Sequence, residues 1–397
     1  MKNIKFARRM QDAEPSIIRE MLKLSLDPSY ISFAGGDPDP EFFPISQILS
    51  FNKKIDEDSN ILFQYSVSEG NELLRKQIIK YIEEWGITAE LDNIIITSGG
   101  QQGLDLTGKL FIEEGDIIGV EGPSYMGAIN AFRQYMPKFD TVEMDDEGIS
   151  VEEIKRRIEK GYKYKLIYVI PDFQNPTGKT MSYARRKELL ELAKEHDIVI
   201  IEDNPYYSLR FEGENIPPIK ALDDSGNVIF IGSFSKVICP ANRVGWICAD
   251  RNIIEKYVIA KQAADIHSNE LSQLQTAHYL ENYSLDEHLN KIRYAYKEKK
   301  DAMISAIRKY FPNYIKYTNP QGGLFVWLTL PEGWVGEDIM NKCIDEKVTI
   351  IPGSRFCADE SRRNNIRLSY ATMDIDSIEE GIKRIAKAFK EFERSKS

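Results

Sequence analysis

The middle of the chain alternates short apolar runs with longer helical segments, and this alternation limits the possible folds more than any other feature. Between about residues 92 and 250, the runs NIIITS, DIIGVEGP, KLIYVIPDF, DIVIIED and NVIFIGSF are separated by segments such as SYARRKELLELAKEH. Apolar strands that alternate with helices form a mainly parallel sheet covered on both faces. We therefore predict an α/β protein that binds its ligand beyond the carboxyl ends of the strands.

Size, charge and composition narrow the function. A chain of 397 residues is long enough for two domains, and its formal net charge of −10 argues against general nucleic-acid binding, which needs a basic surface. No apolar run approaches the roughly 18 residues of a membrane span. The four cysteines form no CxxC pair and the four histidines lack metal-ligand spacing, so no disulfide or metal is predicted. A cytoplasmic protein that acts on small molecules is expected.

The remaining segments predict a second, smaller domain. Residues 285–310 have the apolar spacing of one long helix, and the runs GGLFVWLTL, VTIIPGS and NIRLSYA follow it. Near the N-terminus, one short helix, SIIREMLKLS, and a Gly/Pro-rich loop are too little to fold alone. We expect an N-terminal segment, 1–45, that packs on the small domain and the active site, a large domain, 46–290, and a small α+β domain, 291–397.

Unusual residues follow the predicted strand ends. The turn SGGQQG opens a helix and suits an anion, because backbone N–H groups and the helix dipole face it, although a simple tight turn is the alternative. QNPTGKT resembles the end of a P-loop, but Phe173 stands where that motif needs glycine, so we reject it. The NP pair instead marks a rigid turn that can hold the amide of Asn175. Asp203, which ends DIVIIED, either caps the next turn or takes part in chemistry.

Lys236 follows the strand NVIFI in the stretch GSFSKVICPANRVGW. A desolvated lysine at a strand end loses proton affinity and becomes a nucleophilic amine that can form a Schiff base. Ser233, Ser235 and Arg243 lie beside it in sequence and offer hydroxyl groups and a guanidinium to a phosphate. With an acidic group opposite, this combination indicates pyridoxal 5'-phosphate (PLP), whose aldehyde binds a lysine and whose pyridine nitrogen pairs with an aspartate.

Taken together, the motifs resemble those of the class I/II aminotransferases, which are PLP enzymes of fold type I. SGGQQ, EGPSY, QNPTG, EDNPYY and SFSK, with Arg243 seven residues after the lysine, occur in the family's order. The similarity runs from SIIREMLKL to NNIRLSYAT. It implies a large domain with a mainly parallel seven-stranded sheet flanked by helices, and ping-pong transfer of an amino group from an L-amino acid to a 2-oxo acid.

The resemblance assigns roles at the cofactor ring. Lys236 corresponds to the Schiff-base lysine that also moves the proton, and Asp203 to the partner of the pyridine nitrogen. Tyr125 of EGPSY corresponds to the aromatic residue that stacks on the ring. Asn175 and Tyr206 correspond to the residues that bond to the ring oxygen, and Asn175 also contacts the substrate in the family.

Further roles concern the phosphate group and a second subunit. The residues that match the family's phosphate site are Ser233, Ser235, Arg243 and the backbone of Gly100 and Gln101. Gly100 departs from many relatives, which carry serine or alanine there, so one hydroxyl donor is missing while the backbone donors remain. Tyr65 of QYSVSEG matches a tyrosine that reaches the phosphate of the neighbouring subunit, which implies a homodimer with shared active sites.

The resemblance also concerns the substrate. Arg367 in NNIRLSY corresponds to the arginine that binds the substrate α-carboxylate. PSIIREMLKL followed by ISFAGGDPDPEFFP resembles the branch of 2-aminoadipate and kynurenine aminotransferases, in whose 2-aminoadipate members the arginine at Arg19 binds the distal carboxylate, near Ser16 and Gly36. This implies acidic substrates such as 2-aminoadipate and glutamate. The alternative is that Arg19 only forms a salt bridge on its own helix and that aromatic or branched side chains are accepted.

Two other functions stay open. The same scaffold supports amino-acid lyases, and no residue excludes that activity. An aminotransferase-like domain also occurs in transcription regulators behind a helix-turn-helix domain, but the similarity starts within the first 20 residues, so this function is disfavoured. A binding protein without catalysis would be expected to lack Lys236 or Asp203, and both are present.

Overall fold

A computed structural model describes residues 5–10, 21, 24, 26–55, 59–359 and 361–396. These residues contain fourteen β-strands. In chain order they are β1 Ile31–Ser32, β2 Ile94–Thr97, β3 Ile117–Gly122, β4 Lys138–Asp145, β5 Gly148–Ile149, β6 Tyr164–Val169, β7 Val199–Asp203, β8 Val228–Ser233, β9 Gly245–Cys248, β10 Lys316–Tyr317, β11 Phe325–Thr329, β12 Val348–Thr349, β13 Ile351–Pro352 and β14 Asn365–Ser369.

Helices fill most of the segments between the strands. They are α1 Ile45–Leu49, α2 Glu72–Glu83, α3 Gly100–Phe111, α4 Met126–Arg133, α5 Val151–Glu159, α6 Tyr183–Glu195, α7 Ile219–Leu222, α8 Arg251–Gln262, α9 Glu270–Asn282, α10 Leu285–Tyr310, α11 Gly336–Asp345 and α12 Ile375–Lys396. Within the described part of the chain, no helix is long and apolar enough to cross a membrane.

Eight strands form the larger sheet, in the order β2-β9-β8-β7-β6-β3-β4-β5. Strands β8, β7, β6, β3 and β4 pair in parallel, and β9 runs antiparallel to β8 and β2. The predicted α/β class and mainly parallel sheet are confirmed. The sheet has eight strands and not the expected seven. A turn at residues 146–147 folds the chain back onto β4 and adds the two-residue strand β5.

The central strands of this sheet are almost entirely buried. Every residue of β8 is buried, and in β7 only the first residue is partly exposed. Such strands are apolar throughout because helices cover both faces of a parallel sheet. Helix α3 packs on β8 and β9, and α6 packs on β7. Strands β6, β7 and β8 run in one direction, so their carboxyl ends meet at one edge.

A second sheet has the antiparallel order β10-β11-β14-β13. In its centre, Arg367 of β14 lies opposite Trp327 of β11 and Ile351 of β13. The predicted long helix is confirmed as α10, which packs against α12. Because α10 continues unbroken past residue 290, the expected boundary between residues 290 and 291 falls inside a helix.

The described part of the N-terminal segment packs against the second half of the chain. Strand β1 pairs in parallel with β12, and the backbone of Phe33 exchanges hydrogen bonds of 2.9 Å with Thr349 and Ser369. Asp39 forms an ion pair of 2.5 Å with Lys299 of α10. These contacts hold residues 31–39 against β12, β14 and α10. The predicted helix SIIREMLKLS lies almost entirely outside the described residues.

A substitution at Gly232 tests how tightly β8 and β9 pack. It lies opposite Trp246, and a Cβ added to it would lie 2.2 Å from the indole ring. Gly232→Ala is therefore expected to lower the free energy of unfolding by roughly 1 to 3 kcal/mol, because the buried indole has no room to move. Urea unfolding of the full chain measures the effect. Gly100→Ala is the matched control, since its Cβ would meet Ile231 at an ordinary 3.6 Å; equal midpoints for the two variants would contradict the prediction.

Candidate active site

A cavity of about 330 Å³ opens at the carboxyl ends of β6, β7 and β8, where the second sheet and the N-terminal loop also converge. Its volume is that of a small-molecule site. Of the predicted site residues that the structure describes, all line this cavity except Tyr65. The lining residues that were predicted are Gly36, Gly100, Gln101, Tyr125, Asn175, Asp203, Tyr206, Ser233, Ser235, Lys236, Arg243 and Arg367.

The strand ends account for this convergence. Asp203 is the last residue of β7 and Ser233 the last residue of β8, while Asn175 lies in the turn between β6 and α6. Gly100 begins α3, and Tyr125 immediately precedes α4. Parallel strands bring their following turns to the same edge of the sheet, so residues far apart in sequence become neighbours.

Lys236 lies three residues beyond the end of β8, with its amine directed into the cavity. Its Nζ donates a hydrogen bond of 2.8 Å to the carbonyl oxygen of Gly36. Burial lowers the pKa of Lys236 to about 8; the charge of Asp37 opposes this shift, and the charges of Arg367 and Arg243 add to it. A substantial fraction of the amine is therefore neutral near physiological pH, as a nucleophile or a base requires.

Asp203 is a carboxylate of the cavity at the end of β7, and it is only 6% exposed. The hydroxyl of Tyr168 donates a hydrogen bond of 2.7 Å to its Oδ2 atom. Burial raises the pKa of Asp203 to about 6, and the hydrogen bond from Tyr168 opposes this rise. Among the described residues, none donates to Oδ1 of Asp203, so this oxygen is available to a cationic group in the cavity.

Hydroxyl groups and a guanidinium gather near the N-terminus of α3. Ser233 Oγ donates to Ser235 Oγ at 3.0 Å and accepts from the backbone N–H of Ser235 at 3.1 Å. Arg243 Nη2 donates to the carbonyl oxygen of Ser98 at 3.0 Å. Gly99 has φ 78°, and a Cβ there would lie 2.4 Å from Arg243 Nη2, so glycine is needed for this close approach. Together with the free N–H groups of α3, these groups form an anion site.

Arg367 reaches the cavity from the second sheet and is buried. Its Nη1 donates to Asn175 Oδ1 at 3.0 Å, its Nη2 donates to the carbonyl oxygen of Ala34, and its Nε has no partner among the described residues. The guanidinium carbon lies 4.4 Å from the ring centre of Phe325. Burial lowers the pKa of Arg367 to about 10, so it remains a cation at neutral pH. A buried arginine at a cavity wall suits a carboxylate ligand.

Two tyrosines complete the walls. Tyr125 donates a hydrogen bond of 3.4 Å to Gln101 Oε1, and the ring of Tyr206 meets that of Phe325 edge to face at 6.0 Å. Burial raises the pKa of Tyr125 to about 12 and that of Tyr206 even higher, so both keep their protons at neutral pH. They therefore present aromatic surface and neutral hydroxyl groups to the cavity.

Among the predicted residues that the structure describes, Tyr65 is not part of the cavity lining. Tyr65 is 77% exposed, and its ring meets His267 edge to face at 5.9 Å. Ser16 and Arg19 lie outside the described residues. The structure adds Asp37 to the lining and Tyr168 beneath it. The sequence could have indicated Asp37, because it lies next to Gly36 in the loop GGDPDP. It gave no indication of Tyr168, which lies inside an apolar strand.

The chemistry of these side chains fits PLP. A partly neutral amine, a carboxylate with one free oxygen and an anion site lie around one cavity, and these are the three partners that the aldehyde, the pyridine nitrogen and the phosphate of PLP require. Glycine at position 99 lets the guanidinium of Arg243 lie close to the N-terminus of α3, where the phosphate would bind. The guanidinium of Arg367, which lines the cavity, offers a cationic partner to a substrate carboxylate.

Comparison with known families agrees with this geometry. The profile described as "Aminotransferase class I and II" matches residues 29–385 of this chain. The chain belongs to this family. The fold and the cofactor expected from the motifs are thereby confirmed: the protein is a PLP-dependent aminotransferase of fold type I, and amino acids and 2-oxo acids are its substrates.

Individual relatives resemble the aminotransferase over nearly its whole length. Aromatic-amino-acid aminotransferase 1 of Thermococcus litoralis is 42% identical over 97% of this chain and 94% of its own. A solved kynurenine aminotransferase of Pyrococcus horikoshii has a TM-score of 0.93 and 40% identity, covering 98% of this chain and 97% of its own. The α-aminoadipate aminotransferase LysN of Thermus thermophilus, solved with N-(5'-phosphopyridoxyl)-L-leucine, has a TM-score of 0.91 and 37% identity over 98% of both chains.

The lowered pKa of Lys236 can be tested in the cofactor-free aminotransferase. Only the neutral amine reacts with acetic anhydride, so labelling of Lys236 is expected to rise with pH and reach half its maximum at about 8. Mass spectrometry of the labelled peptides follows this rise, with the exposed Lys80 as internal reference. Asp37→Asn removes an opposing charge and should move the midpoint to lower pH. A midpoint near the ordinary value of 10.5 would contradict the assignment.

Proposed function

We propose that the cavity residues divide the work of the transamination as their motifs predict. PLP, when bound, supplies an aldehyde that accepts the amino group and a pyridine ring that withdraws electrons from the substrate Cα. Asp203 holds the ring nitrogen, Tyr125 stacks on the ring, and Asn175 and Tyr206 bond to the ring oxygen. The hydrogen bond from Tyr168 to Asp203 supports the first of these roles, because it leaves one carboxylate oxygen to face the cavity.

The phosphate end is held by the anion site at α3. The proposed donors are Ser233, Ser235, Arg243 and the backbone of Gly100 and Gln101. Charged and backbone donors at a helix N-terminus bind a phosphate strongly, because both the guanidinium and the helix dipole favour negative charge. The position of all these residues around one cavity supports the assignment.

Lys236 is proposed to move the proton at the substrate Cα. A base is most effective when its pKa lies near the working pH, and the pKa of Lys236 is lowered to about 8. Its amine takes the proton from one carbon and returns it to another, so a single residue acts as base and then as acid.

Arg367 and Asn175 are proposed to orient the substrate. The Nη1 atom of Arg367 donates to Asn175 Oδ1, and the guanidinium, which lines the cavity, is the proposed partner of the α-carboxylate that all amino-acid substrates share. A planar guanidinium binds a carboxylate in a fixed orientation, which places the Cα hydrogen relative to Lys236. The same contact suits amino acids and 2-oxo acids, as ping-pong transfer requires.

For the side chain, we propose a preference for 2-aminoadipate and glutamate, with aromatic and branched-chain amino acids also accepted. The names of the relatives, which include an α-aminoadipate, a kynurenine and an aromatic aminotransferase, support this range. Arg19 is the proposed partner of the distal carboxylate, with Ser16 nearby and Gly36 in the pocket wall. Asp37 favours aromatic substrates over acidic ones. Its carboxylate lies in the cavity without a described hydrogen-bond partner and would repel the distal carboxylate of an acidic substrate.

A homodimer with shared active sites is the proposed assembly. Phe63, Tyr65 and Val67 are exposed by 65%, 77% and 55%, and such neighbouring apolar residues favour a surface that a partner covers.

We also propose a cytoplasmic location, on the composition of the chain, and no nucleic-acid or membrane partner. The proposed domains remain 1–45, 46–290 and 291–397, supported by the separate sheet formed by β10, β11, β14 and β13.

A half-reaction tests the proposed roles. With one amino acid and no 2-oxo acid, the holoenzyme should release about one oxo acid per active site and stop, because the amino group stays on the enzyme. Addition of a 2-oxo acid should restart turnover. Lys236→Ala should abolish the release. Continuous formation of pyruvate or ammonia without added oxo acid would instead identify a lyase and overturn the proposal.

Two substitutions test the substrate range. Arg19→Gln should lower kcat/KM for 2-aminoadipate by about 10- to 100-fold, the scale of one lost ion pair in a pocket, and leave phenylalanine unchanged. Asp37→Asn should raise kcat/KM for acidic substrates several-fold, because it removes a like charge. Steady-state kinetics with L-2-aminoadipate, L-glutamate, L-phenylalanine and L-valine measure both effects. An equal loss on all four amino acids after Arg19→Gln would remove Arg19 from the substrate site.

A further inference from the structure

Beneath the cavity floor lies Tyr168, which contacts Asp203 and has no assigned role of its own. It lies in β6, between Val120 of β3 and Ile201 of β7, and its side chain is fully buried. Its hydroxyl donates to Oδ2 of Asp203 at 2.7 Å. In the described part of the chain, this is the one hydrogen bond made by either the hydroxyl of Tyr168 or the carboxylate of Asp203. The two side chains therefore depend on each other for their polar contacts.

The surroundings of Tyr168 hold its ring in place. The ring of Phe132, in α4, meets it edge to face at 5.8 Å. Strand β6 pairs with β3 on one side and with β7 on the other, so the backbone around Tyr168 is held between two strands. A ring fixed in this way directs its hydroxyl to one point, and the carboxylate of Asp203 must orient its Oδ2 to meet that point.

The consequence concerns the other oxygen of Asp203. A carboxylate has two oxygens in one plane, so a hydrogen bond to Oδ2 also sets the direction of Oδ1. Without the hydroxyl, the buried carboxylate would have no donor among the described residues and would be free to rotate. We propose that Tyr168 is a positioning residue that orients Asp203 and keeps its Oδ1 directed at the pyridine nitrogen of PLP.

Other ionisable groups around Tyr168 do not replace this contact. Asp203 of β7, Tyr125 at the start of α4 and Glu121 of β3 are the groups whose charges act on Tyr168. Oε2 of Glu121 is occupied by Gln174 and by the backbone of Ile170. The hydroxyl of Tyr125 donates to Gln101. Neither residue donates to Asp203, so the removal of one hydroxyl group leaves its carboxylate without a donor from the described part of the chain.

The test compares the binding of two cofactors to the full-length protein stripped of PLP. One is PLP; the other is 1-deazapyridoxal 5'-phosphate, in which carbon replaces the ring nitrogen. Tyr168→Phe keeps the ring and removes the hydroxyl. It is expected to weaken PLP binding about ten-fold, the scale of one hydrogen bond to a charged group, and to leave binding of the deaza compound unchanged. Equilibrium titration of each cofactor measures the effect.

Tyr164→Phe is the matched control. Tyr164 lies on the same strand, is buried and donates to a carboxylate, that of Asp140, but it does not line the cavity. This variant should bind both cofactors as the wild type does. If Tyr168→Phe weakens both cofactors equally, or changes neither, Tyr168 has only a packing role and the proposal is overturned.

The inference rests on the proposed role of Asp203, and the same titrations separate the two. If the wild type binds PLP and the deaza compound equally well, the assignment of Asp203 to the ring nitrogen fails, and the inference fails with it. If the wild type prefers PLP and Tyr168→Phe retains that preference in full, only the inference fails. Should Tyr168→Phe alone not fold, the double variant Tyr168→Phe/Asp203→Asn is compared with Asp203→Asn: equal affinities for PLP support action through Asp203, and a further loss overturns it.

Discussion

The hydrogen bond between Arg367 and Asn175 joins the parts of the molecule that form the active site. Arg367 belongs to the second sheet, and Asn175 belongs to the turn after β6 of the larger sheet. The same guanidinium also bonds to the carbonyl oxygen of Ala34 in the N-terminal segment. One side chain thus fixes three segments around the cavity. The proposed site for the substrate carboxylate lies where these segments meet, so on this proposal substrate recognition depends on their packing.

The cavity also contains a basic and an acidic group, Lys236 and Asp203, that are both largely buried. Burial favours the neutral form of each group, because it lowers the pKa of Lys236 and raises the pKa of Asp203. For Lys236 the shift is useful, because the neutral amine is the reactive form. For Asp203 the hydrogen bond from Tyr168 opposes the shift and favours the charged form. Deeper in the fold, the buried ion pair of 2.9 Å between Arg186 and Asp172 supports the turn that carries Asn175.

Much of the site was predictable because polar residues at the ends of apolar strands are conspicuous. Lys236, Asp203 and Asn175 each follow such a run, and the structure brings all three to one cavity. Tyr168 was not predictable, because a tyrosine within a buried strand has the same pattern as a core residue. Asp37 was missed for the opposite reason, since an acidic residue in a Gly/Pro-rich loop is typical of a solvent-exposed turn. The proposed roles of Ser16 and Arg19 in substrate choice concern residues outside the described part of the chain.

The sequence by itself determined the fold class, the family and the types of side chain available for chemistry, because strand and helix patterns and the motifs at strand ends are local. Only the tertiary structure decided which of these side chains share a hydrogen bond. Arg367 and Asn175 are separated by 192 residues, and Tyr168 and Asp203 by 35. Such contacts depend on the order and register of strands and on the packing between sheets, which no local pattern specifies. The pKa of Lys236 was decided in the same way, since burial and the charges around it come from distant segments.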